Sequence, residues 1–187
     1  MVSSLGRGSA TEPSPGYYPE TTGIYPVPLG WDLTTGDGRR CGVLHVEAST
    51  TVEAPRQTVL DVYADYPSWP RLFPTISGVR LLHREGPKLV LEVDHVEGTV
   101  INELVVQPPD RLDLWEEKRR YDALFRNRFE QVPDGTRWVV RGEVHLKGWA
   151  RLLRPFLGGY VRRLIRRLQL QPVKAEAEAR ARARRAG

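Results

Sequence analysis

The sequence predicts an α+β fold in which a curved antiparallel sheet wraps around one long C-terminal helix. Between residues 79 and 146, six segments of alternating apolar residues are separated only by short breaks, as in antiparallel hairpins. Two short helical patterns precede them, and an apolar stripe at helical spacing follows them. The chain of 187 residues is long enough for one such domain with an ordinary core.

Turn residues mark the bounds of these elements. A first strand within residues 44–52 stops at Pro55, which suits the first turn of a helix ending before Pro67. Ser68 is expected to cap a second short helix that is closed by Pro74. The six strands that follow are predicted at residues 79–83, 89–95, 99–107, 111–117, 123–131 and 136–146.

The final helix is predicted from an apolar stripe between Leu153 and Leu168, with Tyr160 and Leu164 facing the sheet. Gly158-Gly159 lies within it, which indicates a bend, a close approach to the sheet or a hinge; alternatively, the helix begins only after Gly159. Pro172 is expected to break or kink the helix. We therefore expect three regions: a Gly/Pro-rich extension (1–42), the domain (43–171) and a basic, frayed helical tail (172–187).

The charge distribution argues against a nucleic-acid-binding protein. Residues 141–187 carry a net charge of +10, whereas residues 1–140 carry −5. A nucleic-acid binder is usually basic along its contact surface, and no recognition motif is present. Tyr17, Tyr18, Tyr25 and Trp31 are unusual in a solvated extension, so this arm is expected to contact the domain surface or a partner protein.

The apolar pattern, the cysteine count and the absence of known motifs argue against several other classes of protein. No apolar stretch approaches the length of a membrane-spanning helix, and no apolar block after the N-terminal residues indicates a secretory signal. Cys41 is the only cysteine, which favours a cytoplasmic protein without an internal disulfide. Nucleophile-elbow, Walker A and zincin motifs are absent, and four scattered histidines with one cysteine do not suggest a metal site, so we expect no metal and no cofactor. The sequence does not indicate an oligomeric state.

Several local sequences appear in a characteristic order. They are Val52-Glu53-Ala54-Pro55, the run from Asp65 to Pro74, Pro108-Pro109-Asp110-Arg111-Leu112, Asp134-Gly135-Thr136 and the closing amphipathic helix. Over residues 43–171 this order resembles the START-like (SRPBCC) superfamily, the polyketide cyclase/dehydrase and lipid-transport family with the helix-grip fold. The resemblance implies a deep, mostly apolar cavity between sheet and long helix, used in that family for lipids, sterols, quinones, hormones or polyketide intermediates.

The resemblance leaves three functions open. The first is binding or transport of a hydrophobic small molecule. The second is a polyketide aromatase/cyclase, since the stretch from Trp69 to Phe73 is similar to those enzymes; their tyrosine after Leu-Phe falls at Ile76 here, and their arginine at the end of the fourth strand falls at Gln107. The third is a partner-binding module that uses the N-terminal arm and the basic helix.

Strand alternation yields the candidate polar groups of the cavity. If the turn after Gln107 brings Ile101 opposite Glu116, then Ile101, Glu103 and Glu116 share the cavity face. A three-residue loop at 97–99 adds His95 to that face, whereas a two-residue loop adds Glu92 and Asp94. Two carboxylates in an apolar cavity have raised pKa values and can act as an acid or grip a ligand. Alternatively, the register is off by one and both face water, or arginines pair with them.

The remaining candidates are mostly aromatic. Asn127 is expected to point inward and to need a hydrogen-bond partner, such as a ligand oxygen. The alternative for every aromatic candidate is ordinary core packing. The full set of expected ligand-binding residues is Trp69, Phe73, His95, Ile101, Glu103, Glu116, Phe125, Asn127, Phe129, Trp138, Tyr160 and Leu164.

Basic residues interleave with apolar ones along the final helix. Such a pattern can rest on an anionic membrane surface, although a solvated outer face is the simpler interpretation. The arginines expected at such a surface are Arg151, Arg154, Arg162, Arg163, Arg166 and Arg167.

Overall fold

In a computed structural model of the protein, residues 43–187 are described, apart from the side chains of Ala150 and Arg151. The extension expected at residues 1–42 lies outside the described residues. The strands are β1 (Val43–Val52), β2 (Ile76–Glu85), β3 (Lys88–His95), β4 (Gly98–Gln107), β5 (Arg111–Glu117), β6 (Tyr121–Val132) and β7 (Gly135–Leu146). The helices are α1 (Arg56–Ala64), α2 (Trp69–Leu72), α3 (Arg154–Leu164) and α4 (Gln171–Ala186).

The seven strands form one antiparallel sheet, as predicted. Strands β2 to β7 pair in sequence order and β1 pairs with β7, so that β1 and β2 are the two edges. The curved sheet and the long C-terminal helix together form the helix-grip architecture that the sequence predicts.

One face of the sheet, here called the inner face, carries the hydrophobic core and the helices. The cross-strand pairs place the buried residues of successive strands side by side on this face, because side chains in a strand alternate between faces. Its fully buried members from β3 to β7 include Leu91, Leu104, Leu112, Phe129, Trp138 and Val140.

The pairing of β4 with β5 differs from the predicted register by one residue. Three residues, Pro108 to Asp110, separate the paired Gln107 and Arg111, so Glu116 lies opposite Asn102 and not opposite Ile101. The predicted face of β4 was therefore wrong: Ile101 and Glu103 lie on the outer face of the sheet. A change of one residue in a turn exchanges the two faces of the strand that follows it.

The turn between β3 and β4 is also shorter than predicted. His95 pairs with Gly98, so the loop contains two residues, Val96 and Glu97. His95 nevertheless lies on the inner face as predicted. The loop before β4 is one residue shorter than predicted and the loop after it is one residue longer, and each change alone would exchange the faces. Together they leave β3 and β5 on the same face as predicted. Leu91 pairs with the inward-facing Asn102, which fixes the face of β3.

Five aromatic side chains pack together on the inner face of the sheet: Tyr63 of α1, Trp69 and Phe73 at α2, Phe129 of β6 and Trp138 of β7. Ring centroids lie 5.3 Å apart for Tyr63 and Trp138, 5.6 Å for Phe129 and Trp138, and 5.8 Å for Trp69 and Phe73. Trp69 Nε1 donates a hydrogen bond to the carbonyl of Tyr63 at 2.9 Å. None of the five side chains is more than 6% exposed, so this part of the face is closed by the protein's own core.

The C-terminal helix continues through the predicted break. A π-helical stretch, Ile165–Leu170, joins α3 to α4, and Pro172 lies in the first turn of α4. Pro172 has no N–H for the carbonyl four residues earlier, and the wider π turn directly before it accommodates this loss. The helix also runs through Gly158, whose added Cβ would lie 3.7 Å from Leu44 on β1.

The segment expected as a frayed tail is a packed helix. Val173, Ala177 and Ala181 on α4 are at most 5% exposed, and α4 packs against α1. The expected domain boundary at residue 171 therefore falls at the start of an element of the core. Short apolar side chains repeated every four residues let α4 approach α1 closely.

Candidate functional site

A group of polar side chains lies on the inner face near the turn between β5 and β6. We call it the inner-face polar cluster, and it comprises His95, Asn102, Glu116, Lys118 and Tyr121. His95 ends β3, Asn102 and Glu116 are direct cross-strand partners, and Lys118 and Tyr121 flank the two-residue turn. Half-buried apolar residues adjoin the cluster on the same face, among them Val100 and Phe125.

Glu116 is the buried centre of the cluster. Its Oε1 accepts a hydrogen bond from the Tyr121 hydroxyl at 2.9 Å, and its Oε2 lies 3.9 Å from Lys118 Nζ. Burial raises the pKa of Glu116, and the nearby Lys118 and Tyr121 only partly oppose this rise. Burial and the Glu116 charge likewise raise the pKa of Tyr121, whose ring centroid lies 5.5 Å from Lys118 Nζ.

His95 and Asn102 each hold a buried polar atom without a partner. Neither His95 Nε2 nor Asn102 Oδ1 makes a hydrogen bond within the described part of the chain, although Asn102 is only 2% exposed. Burial, followed by the positive charge of Lys118, lowers the pKa of His95 to about 4. His95 is therefore neutral at physiological pH.

This arrangement has a defined chemical capacity. An unpaired polar atom in a buried site costs free energy, so such atoms mark places where a water molecule or a ligand completes the hydrogen bonds. Asn102 Oδ1 accepts a hydrogen bond, and Lys118 Nζ donates one. Glu116 with a raised pKa and a neutral His95 can exchange a proton with a bound molecule.

The aromatic residues predicted to bind a ligand are mostly core residues here. Four of them belong to the closed aromatic group between the first two helices and the sheet, which supports the alternative of ordinary packing; they are Trp69, Phe73, Phe129 and Trp138. Phe125 is half-buried on the inner face, and an added Cβ on the neighbouring Gly142 would lie 2.9 Å from its ring.

Asn127 has the inward position that was predicted, and protein groups complete its hydrogen bonds. Its Oδ1 accepts from Trp138 Nε1 at 3.0 Å and from Gln169 Nε2 at 3.3 Å. Gln169 Nε2 also donates to the Tyr63 hydroxyl at 2.6 Å. The side chain thus connects β6, β7, α1 and the C-terminal helix, and a ligand oxygen is not needed to satisfy it.

The outer-face residues Ile101 and Glu103 are separated from the polar cluster by the sheet. Ile101 is 39% exposed, and the buried Glu103 pairs with Lys88, with 3.1 Å between Oε2 and Nζ. Glu103 and Glu116 are therefore not neighbours within one site, contrary to the predicted register.

The side chains of α3 also depart from the prediction. Tyr160 is 59% exposed and does not face the sheet as expected, whereas Leu164 is half-buried. Leu157 and Val161, and not Tyr160, are side chains of α3 that pack against the core. Arg162 Nε donates to the carbonyl of Glu47 on β1 at 3.1 Å, and this arginine is exposed, as are Arg154, Arg163, Arg166 and Arg167.

Three members of the cluster were missed from the sequence. The same strand alternation predicts an inward-facing Asn102 if the turn between β4 and β5 contains the three residues Pro108 to Asp110. Lys118 and Tyr121 carry no such signal, because Arg119-Arg120 forms a tight turn without Gly, Pro or Asn.

The described residues also bear on metals and membranes. Within residues 43–187, no three His, Cys, Asp or Glu side chains come together in a group that could bind a metal ion. In the same range, no helix is both long and apolar enough to cross a membrane.

Residues 43–178 match the family model described as polyketide cyclase / dehydrase and lipid transport. No curated protein matches the chain. Among solved structures, the Zhui aromatase/cyclase from Streptomyces sp. R1128 is similar, with 19% identity and a TM-score of 0.62 over 74% of this chain and 95% of that one.

Two further structures share the architecture. The di-domain aromatase/cyclase StfQ from the steffimycin biosynthetic pathway has 18% identity and a TM-score of 0.63 over 80% of this chain; the match spans 54% of StfQ, about half of its length. A START superfamily protein from Mycobacterium smegmatis has 20% identity and a TM-score of 0.51, over 74% of this chain and 97% of that one. At these identities the likeness concerns the fold.

Proposed function

Because the chain belongs to the polyketide cyclase / dehydrase and lipid transport family, we propose that it binds or carries a hydrophobic small molecule on the inner face of its sheet. The ligand is an apolar molecule with oxygen functions, such as a lipid, a quinone or a polyketide-like compound. Removal of its apolar surface from water supplies most of the affinity, at about 25 cal/mol per Å².

One observation carries this proposal: the unpartnered His95 Nε2 and Asn102 Oδ1 lie on the same face as the buried Glu116. A ligand hydroxyl can donate to Asn102 Oδ1, and a ligand carbonyl can accept from Lys118. These contacts orient the molecule, while the half-buried Val100 and Phe125 offer apolar contact beside them.

Native mass spectrometry and a probe titration test the proposal on the full chain. We expect a co-purified adduct of lipid or quinone mass, and uptake of the fluorescent sterol dehydroergosterol, whose hydroxyl can donate to Asn102 Oδ1 or to Glu116, with loss of the adduct. Asn102→Leu and Glu116→Gln should weaken probe binding about tenfold, as loss of hydrogen bonds to a buried polar group does. Glu103→Gln is the matched control, since Glu103 is equally buried on the outer face.

The proposal fails if the purified chain holds no adduct and takes up no probe. It also fails if Glu103→Gln weakens probe binding as much as Glu116→Gln, because the effect would then come from the sheet as a whole. Circular dichroism of each variant separates loss of binding from loss of the fold.

A second candidate function, proton transfer on a polyketide-like substrate, is favoured by the pKa values in the cluster. Glu116, with its raised pKa, and the neutral His95 form an acid and a base on one face. Co-expression with a minimal polyketide synthase tests this function, with product cyclisation as the readout. Under this function Glu116→Gln abolishes the product change, whereas under the carrier function it alters only affinity.

A further inference from the structure

A second apolar surface lies outside the core, on the segment that follows β7. Within residues 43–187, nine large apolar side chains are exposed, and five of them lie between residues 149 and 160. These five, here called the apolar docking face, are Trp149 (63% exposed), Leu152 (80%), Leu153 (41%), Phe156 (81%) and Tyr160 (59%). Such concentration of exposed apolar surface marks an interaction site.

The docking face is distinct from the side of α3 that packs on the domain. Leu157 and Val161 pack against the core, and Gly158 approaches Leu44 on β1. Phe156 and Tyr160, four residues apart, share the opposite side and contact the solvent. A helix that served only the core would carry polar residues there.

The charged residues of the segment that carries this face are all basic. Between residues 148 and 175 the sequence contains six arginines and one lysine but no Asp or Glu. Arg163 lies seven residues after Phe156 and therefore on the same side of α3, and it is exposed, as is Arg167. Protruding aromatic and leucine side chains bordered by arginines are typical of helices that lie in the interface of an anionic bilayer.

We propose that the apolar docking face binds the surface of an anionic lipid bilayer, with the arginines contacting lipid phosphates. Phe156, Leu152 and Trp149 enter the boundary between headgroups and acyl chains, and α3 lies parallel to the membrane plane. Binding of this kind needs no ligand on the inner face and therefore does not depend on the proposed function.

The position of the docking face indicates where a ligand would enter or leave the inner face. This step rests on the proposed function. Arg120 lies 5.9 Å from the Trp149 ring, and the Lys147 N–H donates to the Arg120 carbonyl at 2.8 Å. The same turn carries Lys118 and Tyr121 of the polar cluster. A bilayer at the docking face therefore lies beside the cluster, where a hydrophobic cargo can pass between the two.

Vesicle co-sedimentation of the full, ligand-stripped chain tests the bilayer proposal. We expect binding to phosphatidylcholine vesicles that contain phosphatidylglycerol, and little binding to phosphatidylcholine alone. The double variant Leu152→Ser/Phe156→Ser should weaken binding at least about tenfold, and so should Arg163→Gln/Arg167→Gln. Leu82→Ser and Arg84→Gln, at exposed positions of β2, are the matched controls and should bind like the wild type.

The proposal is overturned if the wild type does not bind anionic vesicles or if the Leu152/Phe156 variant binds as well as the wild type. It is also overturned if sedimentation shows a dimer that this variant dissociates, since a second copy then covers the face. Probe binding by Glu116→Gln is measured separately, so failure of the membrane proposal and failure of the ligand proposal are distinguishable.

Discussion

Glu103 and Glu116 lie on adjacent strands and are each 8% exposed, yet their side chains leave the sheet on opposite faces. Glu103 pairs closely with Lys88, at 3.1 Å between Oε2 and Nζ, whereas Lys118 Nζ lies 3.9 Å from Glu116 Oε2. Glu116 instead relies on the hydrogen bond from Tyr121. Because the two carboxylates are equally buried and only Glu116 lies in the polar cluster, comparing their variants distinguishes an effect of burial from an effect of ligand contact.

Glu116→Gln should stabilise the protein increasingly as the pH rises above 4.5, the ordinary pKa of glutamate. Burial raises the pKa of Glu116, so the folded protein keeps a proton that the unfolded chain has already lost. The stability that this bound proton contributes is fully present below pH 4.5 and is lost as the pH rises through the pKa of Glu116 in the folded protein. Glutamine keeps an acceptor for Tyr121 and removes the buried charge. Urea unfolding of both proteins over a pH series measures the difference.

Glu103→Gln provides the comparison on the outer face. It removes the charge that pairs with Lys88 and should lower the free energy of unfolding at neutral pH by about 1–3 kcal/mol. A stabilisation by Glu103→Gln, or a Glu116→Gln difference that does not grow with pH, would contradict the assignment of these two environments.

His95→Gln should weaken the dependence of stability on pH between about 6.5 and about 4. The folded pKa of His95 is lowered to about 4 from 6.5, so the unfolded chain binds the proton first as the pH falls, and acid destabilises the fold. We expect an effect on the order of 1 kcal/mol across this window, less than a fully buried ring would give, because water reaches part of the side chain.

Urea unfolding at closely spaced pH values measures this effect. The control is His83→Gln at an exposed position of β2. Identical pH profiles for the wild type and His95→Gln would refute a buried neutral His95. Glu116 makes stability depend on pH in the opposite direction, but it is present in both the wild type and His95→Gln, so its effect cancels when the two are compared.

The strands could be predicted because alternation and turn residues are local signals, whereas the site depended on register. Whether two or three residues turn at Pro108 to Asp110 decides whether Asn102 or Glu103 faces inward, and the residue types in that turn permit both. Tertiary packing also overrode a local signal at Pro172, since the burial of Val173 and Ala177 against α1 continues the helix beyond it.

Gly142→Ala should destabilise the protein by about 1–3 kcal/mol through overpacking. An added Cβ would lie 2.8 Å from Val46 Cγ2 and 2.9 Å from Phe125 Cε1, which forces both side chains to move. Gly159→Ala is the matched control within α3, where nothing lies within 4 Å of the added Cβ. It should stabilise the helix by about 0.5–1 kcal/mol. Thermal and urea unfolding measure both changes, and a tolerated Gly142→Ala would contradict the contact with Phe125.

Ala177→Glu should destabilise the protein by at least about 3 kcal/mol, whereas Ala179→Glu should change stability by less than about 0.5 kcal/mol. Ala177 is fully buried where α4 meets the core, and Ala179, two residues later, is exposed. The two variants have the same charge and helix propensity, so only burial differs. Equal unfolding midpoints in urea would restore the interpretation of residues 172–187 as a tail that the domain does not need.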